Sequence, residues 1–305
     1  MHNVPDADAP TSVAATRYPI RSRSHIMKLA LQLSLIPGKT TSDRAKWAKD
    51  QGVEALELSA FIGGAMPDRL HEIADEINGV LPICSVCGNA TVDGARGFDF
   101  LDPDPVKRRA SIDGSKAILK FCGDVGAVGQ IVPPIFGPPV VPDLAPVMTP
   151  LEIEEKLMVA ALKEVGPYAA KRKTLFMVEP LNRYEQHYLR TQADGVRVLD
   201  KAKVKGTGLL SDLFHMHIEE TSTPAALRKC GPRTSHVHLA DNTRMEPGTG
   251  DINFTAAFKA LHKAGFKGYM AFECGITGAN PAAKRRAIIK SLDHLRACIK
   301  KAKRK

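Results

Sequence analysis

Eight short apolar runs alternate with longer stretches of helical periodicity along this sequence, starting at Lys28. Strands that alternate with helices form a parallel sheet, because each helix returns the chain to the end where the next strand begins. This alternation therefore constrains the fold more than any other feature of the chain. The predicted strands are Lys28–Ser34, Ala55–Ser59, Leu81–Val86, Gln130–Pro133, Thr174–Glu179, Gly208–Asp212, Ser235–Leu239 and Tyr269–Glu273.

Helices are predicted after each of these strands, and several of them begin with ordinary start signals. Thr149-Pro150 with Glu152 in the first turn, and Asn280-Pro281, are typical of helix N-termini. Eight strand–helix units in one chain indicate a (β/α)8 TIM barrel, a fold that uses about 250 residues as one domain. The predicted helices are Ser42–Gln51, Pro67–Ile77, Pro105–Val125, Thr149–Lys171, Ala193–Ala202, Pro224–Lys229, Asn253–Ala264 and Pro281–Lys301.

The domain organisation follows from composition. Residues 1–26 are polar and rich in Pro, Ala and Ser, which predicts a disordered extension before a single α/β barrel domain over residues 27–305. Hydrophobic residues make up 44% and charged residues 25% of the chain, as in ordinary globular proteins. No run approaches the ~20 apolar residues of a membrane span. We therefore expect a soluble, cytoplasmic protein without a membrane partner.

The net charge of +10 is concentrated at the C-terminus, where residues 284–305 hold ten Lys or Arg against one acid, Asp293. A solvated helix end explains this cluster, because cations are favoured near a helix C-terminus. A loose contact with a polyanion is the alternative. Because the charge lies in the tail rather than around the barrel mouth, no nucleic-acid partner is expected.

The six cysteines do not form a disulfide framework in a chain of this length. Cys84 and Cys87 form a CxxC pair, but neither a second pair nor a nearby histidine cluster completes a zinc site. We interpret them as structural thiols, with redox or metal use as the alternative.

Acids or a histidine end four consecutive predicted strands: Glu179, Asp212, His238 and Glu273. In a TIM barrel the carboxyl ends of the strands converge on the face where active sites are built. Three carboxylates and one imidazole form a mixed oxygen and nitrogen site that suits Mn²⁺, Mg²⁺ or Co²⁺ better than a thiolate zinc site does. The sequence therefore predicts a site for one divalent cation at the barrel mouth.

Further polar residues follow these strand ends and are predicted to lie on loops around the same mouth. There they would bind a polyhydroxylated ligand, and a sugar is the natural candidate. For Arg183 and His217, pairing with acids such as Glu219 or Glu220 is an equal alternative. The residues are Asn182, Arg183, Glu185, His215, His217, Asp241, Asn242 and Arg244. A proline-rich stretch over residues 133–150 is read as a loop over the mouth and as a candidate lid.

The runs VEPLNRYEQHYL, SDLFHMHIEE, HVHLADNTRMEPGTGDINF and AFEC resemble the ketose 3-epimerases, the D-tagatose and D-psicose 3-epimerases of the xylose-isomerase-like barrel superfamily. The resemblance is close from Glu179 to Glu273 and fainter before it. Pro180, His217 in an HMH run, and the loop after the third predicted strand depart from the family pattern. These departures leave the identity of the substrate open.

The resemblance implies roles for individual residues. The four strand-end residues Glu179, Asp212, His238 and Glu273 match the family's metal ligands, which favours Mn²⁺ as the cation, with Mg²⁺ or Co²⁺ as alternatives. Glu179 and Glu273 also match its catalytic acid and base. The positions that hold substrate oxygens match Glu185, His215 and Arg244. The resemblance further implies a homo-oligomer, a dimer or tetramer.

The leading hypothesis is metal-dependent C3 epimerisation of a ketose through a cis-enediolate. A cation that polarises the carbonyl acidifies the neighbouring C–H group, and two acids on opposite faces remove and return the proton. The alternatives are a lyase or dehydratase of the same superfamily, including an enzyme that eliminates from a keto-glycoside, and a phospho-sugar epimerase or hydroxypyruvate-type isomerase. For a phosphorylated substrate, the loop Gly275–Asn280 is a candidate phosphate seat, although we favour its interpretation as a flexible loop.

Overall fold

The computed structural model describes residues 27–60, 67–90 and 98–304. The disordered extension predicted for residues 1–26 lies outside the described residues, as does the central part of the loop after the third strand. Fourteen of the sixteen predicted helices and strands keep their bounds to within one residue at each end, and only the first and third strands differ by two residues at one end.

Eight parallel strands pair in sequence order and close into a barrel, with the last strand hydrogen-bonded to the first. This confirms the predicted (β/α)8 TIM barrel. The strands are β1 (Lys28–Gln32), β2 (Ala55–Ser59), β3 (Ile83–Cys87), β4 (Gly129–Val132), β5 (Leu175–Val178), β6 (Thr207–Asp212), β7 (Thr234–Leu239) and β8 (Tyr269–Phe272).

The helices of the described residues pack around the barrel, and their start signals act as the sequence indicates. Thr149 accepts a hydrogen bond from the backbone N–H of Glu152, and Asn280 accepts one from Ala283. The helices are α1 (Thr41–Asp50), α2 (Pro67–Ile77), α3 (Pro105–Val125), α4 (Pro150–Lys171), α5 (Gln192–Ala202), α6 (Leu213–Glu219), α7 (Thr223–Cys230), α8 (Phe254–Lys263) and α9 (Pro281–Ala302).

Three local predictions are wrong. The third strand begins at Ile83 rather than Leu81. The first strand ends at Gln32 rather than Ser34, and a 3₁₀ turn over Leu33–Leu35 follows it. The segment that holds His215 and His217 is helix α6 rather than a loop. Its cause is Asp212, whose carboxylate caps the helix by accepting hydrogen bonds from the backbone N–H groups of Phe214 and His215.

The inside of the barrel is filled in layers. A layer of small side chains contains Ala30, Ala55, Cys84 and Ala271. Above it, towards the carboxyl ends of the strands, polar side chains replace the aliphatic ones, and Glu57 and His236 are fully buried there. Because buried charges need partners, the residues of this polar layer constrain the positions of the side chains at the mouth of the barrel.

No helix among the described residues is long and apolar enough to cross a membrane.

Helix α4 packs closely against the turn that leads into β6, and two glycines permit this contact. Gly206 has a left-handed φ of +77°, and a Cβ built on it would lie 2.0 Å from the carbonyl oxygen of Gly166 in α4. Gly79 has a similar φ of +69° but nothing within 4 Å of the same position. Comparing alanine substitutions at the two positions therefore separates the free-energy cost of the backbone conformation from that of a steric collision.

We expect Gly206→Ala to destabilise the fold much more than Gly79→Ala does. The left-handed backbone costs about 1–2 kcal/mol in both variants, whereas the collision adds roughly 1–3 kcal/mol in the first alone. Denaturant unfolding followed by circular dichroism measures both free energies. Equal losses in the two variants would contradict the close contact between α4 and β6.

Candidate active site

The four residues predicted at the strand ends come together at the mouth of the barrel. One ligand atom each from Glu179, Asp212, His238 and Glu273 lies within 4.8 Å of the others, a grouping that is able to hold a metal ion. We call these four residues the acidic cluster. The side chains of Glu179, Asp212 and His238 are buried, and that of Glu273 is 21% exposed, so the cluster opens towards solvent beside Glu273.

The sheet holds the backbone of the cluster in place. The backbone N–H of Glu179 donates to Val132 in β4, and that of Glu273 donates to Leu239 in β7, at 3.1 and 3.2 Å. Asp212 and His238 are paired residues of β6 and β7. The positions of the side chains are therefore set by barrel closure rather than by loops, which favours precise geometry.

His238 lies at the centre of the cluster. Its Nδ1 atom is 3.1 Å from Oε2 of Glu273 and 3.4 Å from Oε1 of Glu179. The nearest oxygen of Asp212 lies 4.0 Å from the same nitrogen. One imidazole nitrogen therefore faces three carboxylates at once, in surroundings from which water is largely excluded.

The donor atoms of the cluster fit a divalent cation. Oε1 of Glu179 and Nδ1 of His238 are buried and make no hydrogen bond within the protein. Buried polar atoms normally have a partner, and oxygen with imidazole nitrogen ligands suits Mn²⁺, Mg²⁺ or Co²⁺. The set lacks the thiolates of a structural zinc site, although one thiol lies close by, as described below.

The environments of the two glutamates differ. Burial, together with the negative charges of Glu273 and Asp212, raises the pKa of Glu179 to about 8. Burial also opposes the ionisation of Glu273, but the positive charges of His238 and Arg244 outweigh it and hold the pKa of Glu273 below its ordinary value. Two carboxyl groups whose environments separate their proton affinities suit the roles of an acid and a base.

Arg244 pairs with two carboxylates of the acidic cluster. Its guanidinium group lies 2.7 Å from Oδ2 of Asp212 and 2.6 Å from Oε2 of Glu273, and it stacks over the ring of Phe214. Burial opposes the ionisation of Asp212, but the charge of Arg244 helps to outweigh it and keeps the pKa of Asp212 low. Arg244 has a left-handed φ of +58°, an uncommon conformation for a side chain of this size.

A second set of buried polar groups, which the sequence prediction missed, contacts His238 from inside the barrel. Glu57 is fully buried, and its Oε1 accepts from Nε2 of His238 at 3.0 Å. The same carboxylate lies 2.9 Å from Nε2 of His236 and accepts from Ser85 at 2.7 Å and from Gln32 at 3.0 Å. Four groups thus compensate one buried charge, and they fix the ring of His238 with Nδ1 towards the cluster.

Two residues of this supporting set could have been recognised in the sequence. Glu57 is a single charged residue within the apolar run ALELS, and His236 lies two residues before His238, so both rings point to the same side of β7. A charged residue within a buried strand requires a partner. The partner itself is not predictable in this way, because it depends on the pairing of distant strands.

The CxxC residues both lie in β3, buried and without a disulfide. Cys84 belongs to the layer of small side chains, whereas the thiol of Cys87 donates to Oε1 of Glu273 at 3.2 Å. Burial, followed by the charge of Glu273, raises the pKa of Cys87, which keeps the thiol protonated and therefore a hydrogen-bond donor. Cys87 is thus part of the surroundings of Glu273.

The structure places the three residues expected to contact the substrate along one side of the cluster. The second of these residues, after Arg244, is His215. It is buried, and its Nδ1 accepts from the backbone and side-chain nitrogens of Asn182 at 3.2 and 2.8 Å. Glu185 is half-exposed and accepts from the same amide group at 3.0 Å. Asn182 therefore joins His215 to Glu185, and burial lowers the pKa of His215 so that its ring is neutral at pH 7.

Other polar residues named from the sequence are engaged elsewhere. Arg183 pairs with Glu219 at 2.8 Å, and His217 lies 3.5 Å from Asp251. The carboxylate of Asp241 accepts from the backbone N–H groups of residues 242, 248 and 252, so it organises its own loop. These contacts favour structural roles over sugar binding for these three residues.

The candidate phosphate seat at Gly275–Asn280 has its donors in use. Both the backbone N–H and the hydroxyl of Thr277 donate to the carboxylate of Glu246, which is 3% exposed. A carboxylate therefore already takes the place that a phosphate would need. The start of α9 beside this loop is capped by Asn280. This geometry disfavours a phosphorylated substrate at this loop.

Comparison with known proteins assigns this barrel to a class of enzymes. A 3-dehydro-D-guloside 4-epimerase of Escherichia coli (strain K12) is 30% identical over 275 residues, which cover 89% of this chain and 100% of that enzyme. A probable ketose 3-epimerase of Synechocystis sp. is 33% identical over 228 residues, 74% of this chain and 75% of the relative. The chain is an enzyme of the epimerase and isomerase type.

The family follows from the sequence model that matches residues 45–298, which is described as a xylose isomerase-like TIM barrel. The protein belongs to this family. The apo structure of the 3-keto-D-glucoside 4-epimerase from E. coli is similar with a TM-score of 0.75 and 28% identity, over 90% of this chain and 100% of that one. D-psicose 3-epimerase from Clostridium cellulolyticum H10 shares the fold, with a TM-score of 0.75 and 20% identity over 90% and 99% of the two chains.

We expect Glu57→Gln to lower the affinity for Mn²⁺ by about 10- to 100-fold, because the support of a metal-binding histidine is lost. Titration with Mn²⁺, followed by electron paramagnetic resonance of the free ion, measures the affinity. Glu54→Gln is the matched control, since Glu54 precedes β2 and its carboxylate accepts from the backbone N–H of Leu29, near the start of β1. Unchanged affinity in a folded Glu57→Gln variant would refute the supporting role of Glu57.

Proposed function

We propose that this protein inverts a stereocentre next to the carbonyl group of a keto sugar, with one divalent cation held by Glu179, Asp212, His238 and Glu273. The observation that carries the proposal is the convergence of two glutamates from non-adjacent strands, β5 and β8, on one imidazole nitrogen. Epimerisation requires one group that removes a proton and a second that returns one on the opposite face. Two acids that reach one site from different strands meet this requirement.

A bound cation would supply electrophilic polarisation of the sugar's carbonyl oxygen, which acidifies the neighbouring C–H group. Mn²⁺ is the proposed ion, since carboxylate and imidazole ligands together suit it. The remaining chemistry belongs to side chains of this protein. Glu273 and Glu179 exchange protons with the carbon, and the order in which they act depends on the configuration of the substrate.

The surrounding side chains tune these two acids and hold the sugar. Oε1 of Glu273 is held by Cys87 and Gln32, at 3.2 and 3.3 Å, while its Oε2 faces the cluster. In this proposal Arg244, His215 and Glu185 hold the sugar's hydroxyl groups. Fixed donors of this kind stabilise the charge that develops on oxygen when the proton leaves carbon.

The substrate we propose first is a free ketose, with inversion at C3. Similarity to ketose 3-epimerases over the segment from Glu179 to Glu273 supports it, as does the 33% identity to a probable ketose 3-epimerase. A 3-keto-glycoside with inversion at C4 is the second candidate. The specific support for it is 30% identity over the whole length of a 3-dehydro-D-guloside 4-epimerase. Both reactions remove a proton next to a carbonyl group.

Incubation with free ketoses and 3-keto-glycosides in D₂O, followed by NMR, tests the reaction and separates the two substrates. We expect deuterium next to the carbonyl together with a new epimer, and we expect Glu273→Gln to reduce the rate by about 10²–10⁴-fold, because a proton-transfer group is lost. Glu164→Gln is the control, since this acid pairs with Arg109 and Lys116 away from the mouth.

Each outcome assigns the protein differently. Deuterium at C3 of a ketose supports the first substrate, and deuterium at C4 of a keto-glycoside supports the second. A product that has lost water or an aglycone would move the protein to the lyases and overturn the epimerase proposal. Full activity in Glu273→Gln would overturn the role of that acid.

Removal of divalent cations with EDTA should abolish the exchange, and Mn²⁺ should restore it, with Co²⁺ and Mg²⁺ as comparisons. Asp212→Asn should weaken Mn²⁺ binding without unfolding the protein, because the amide oxygen is a poorer ligand than a carboxylate and still accepts hydrogen bonds. Atomic absorption on the purified protein measures the bound ion. Undiminished exchange after complete removal of the metal would exclude the cation from the reaction.

A further inference from the structure

A second group of buried, charged side chains lies outside the acidic cluster and joins three segments of the chain. His187 follows β5, and its Nε2 atom is 2.8 Å from both carboxylate oxygens of Glu154 in α4. Its Nδ1 atom is 2.8 Å from the carbonyl oxygen of Gly137, in the proline-rich loop that connects β4 to α4. The side chain of Glu154 is fully buried, and that of His187 is 18% exposed.

The partners of the ring determine its charge. A backbone carbonyl and an ionised carboxylate only accept hydrogen bonds, whereas a neutral imidazole has a single N–H to donate. Only the doubly protonated ring satisfies both partners at once. Burial opposes this charge, but the hydrogen bonds to Glu154 and Gly137 outweigh it and raise the pKa of His187 above its ordinary value.

The contact continues from the ring towards the mouth. The backbone N–H of Gly137 donates to the carbonyl oxygen of Glu185 at 2.8 Å, and Gly137 forms an isolated parallel bridge with Gln186. The side chain of Gln186 in turn donates to the backbone carbonyl of Glu179 at 3.3 Å. The proline-rich loop is therefore tied to the segment over residues 185–187 from both sides.

We propose that His187 is a positioning residue. Its positively charged ring, held between Glu154 and Gly137, fixes the proline-rich loop against residues 185–187 and so sets the place of Glu185 at the sugar-binding side of the mouth. The part that concerns the sugar rests on the function proposed above. The connection between the loop and residues 185–187 stands on the contacts alone.

The direction of the pH dependence follows from the charge. Among the described residues, the titratable groups that face the ring are Glu154 from α4 and Tyr188 from its own loop, and the contact from the proline-rich loop is an uncharged carbonyl. A histidine whose pKa is raised in the folded state contributes its interaction below its unfolded pKa and loses it as the pH rises through the raised value. The loop should therefore loosen at alkaline pH.

Hydrogen exchange followed by mass spectrometry tests the proposal without a substrate. In His187→Gln we expect the amides of residues 133–150 to exchange about tenfold faster than in the wild type at pH 6, because a charge-assisted contact is lost. The wild type should approach the variant as the pH rises to 9. His71→Gln is the control, since His71 lies on α2 and faces Asp124 on the outside of the barrel.

Glu154→Gln provides a second variant in case His187→Gln folds poorly. The amide keeps an acceptor for the ring but removes the charge that holds its second proton. The protection of the amides in residues 133–150, measured against the intrinsic exchange rate at each pH, should therefore no longer depend on pH. Wild-type protection at every pH in His187→Gln, or a wild-type pH dependence of protection in Glu154→Gln, would overturn the proposal.

Kinetics on an accepted sugar then separate positioning from general stability. In His187→Gln we expect KM to rise about tenfold with kcat within about twofold, since a binding contact is displaced while the acid–base pair is untouched. A wild-type KM in this variant would overturn the positioning role. If no sugar is converted at all, the proposed function fails, and the exchange experiment still decides whether His187 holds the loop.

Discussion

The contact between Glu57 and His238 is the interaction on which the rest of the site depends. A fully buried carboxylate is costly unless several donors compensate it, and four side chains from three other strands do so here. The strands must therefore close in the observed register to satisfy this charge. The same contact turns the second nitrogen of His238 to the mouth, where the acids of three further strand ends meet it. Barrel closure and site geometry thus share one cause.

Much of the fold was predictable, because a parallel barrel repeats a simple pattern and places all strand ends on one face. The approximate bounds of the eight strands and the gathering of Glu179, Asp212, His238 and Glu273 follow from that repetition. Helix α6 was not predictable in this way, since a helix of seven residues has little periodicity and depends on capping by Asp212. The contact between His187 and Glu154 joins residues 33 positions apart. Such contacts depend on loop conformation, which local patterns do not specify.

The surroundings of the acidic cluster also explain why many polar residues near the mouth are poor guides to substrate contacts. Asp241 and Glu246 are both at loops that face the mouth, yet backbone N–H groups and Thr277 take up their carboxylates. A polar side chain at the right end of a barrel has two competing uses, which are to order a loop or to bind a ligand. The hydrogen bonds that the side chain already makes within the protein decide between these two uses.

The left-handed backbone at Arg244 puts two demands on one position. Glycine would adopt this conformation without strain, but it has no side chain to reach Asp212 and Glu273. The loop keeps arginine there because Asp241 and Gly275 hold its backbone through hydrogen bonds on both sides. Backbone strain alone would favour glycine, whereas the carboxylates of Asp212 and Glu273 require a cation at this position. Substitution by glycine at this position therefore exchanges relief of backbone strain for the loss of the counter-charge to two carboxylates.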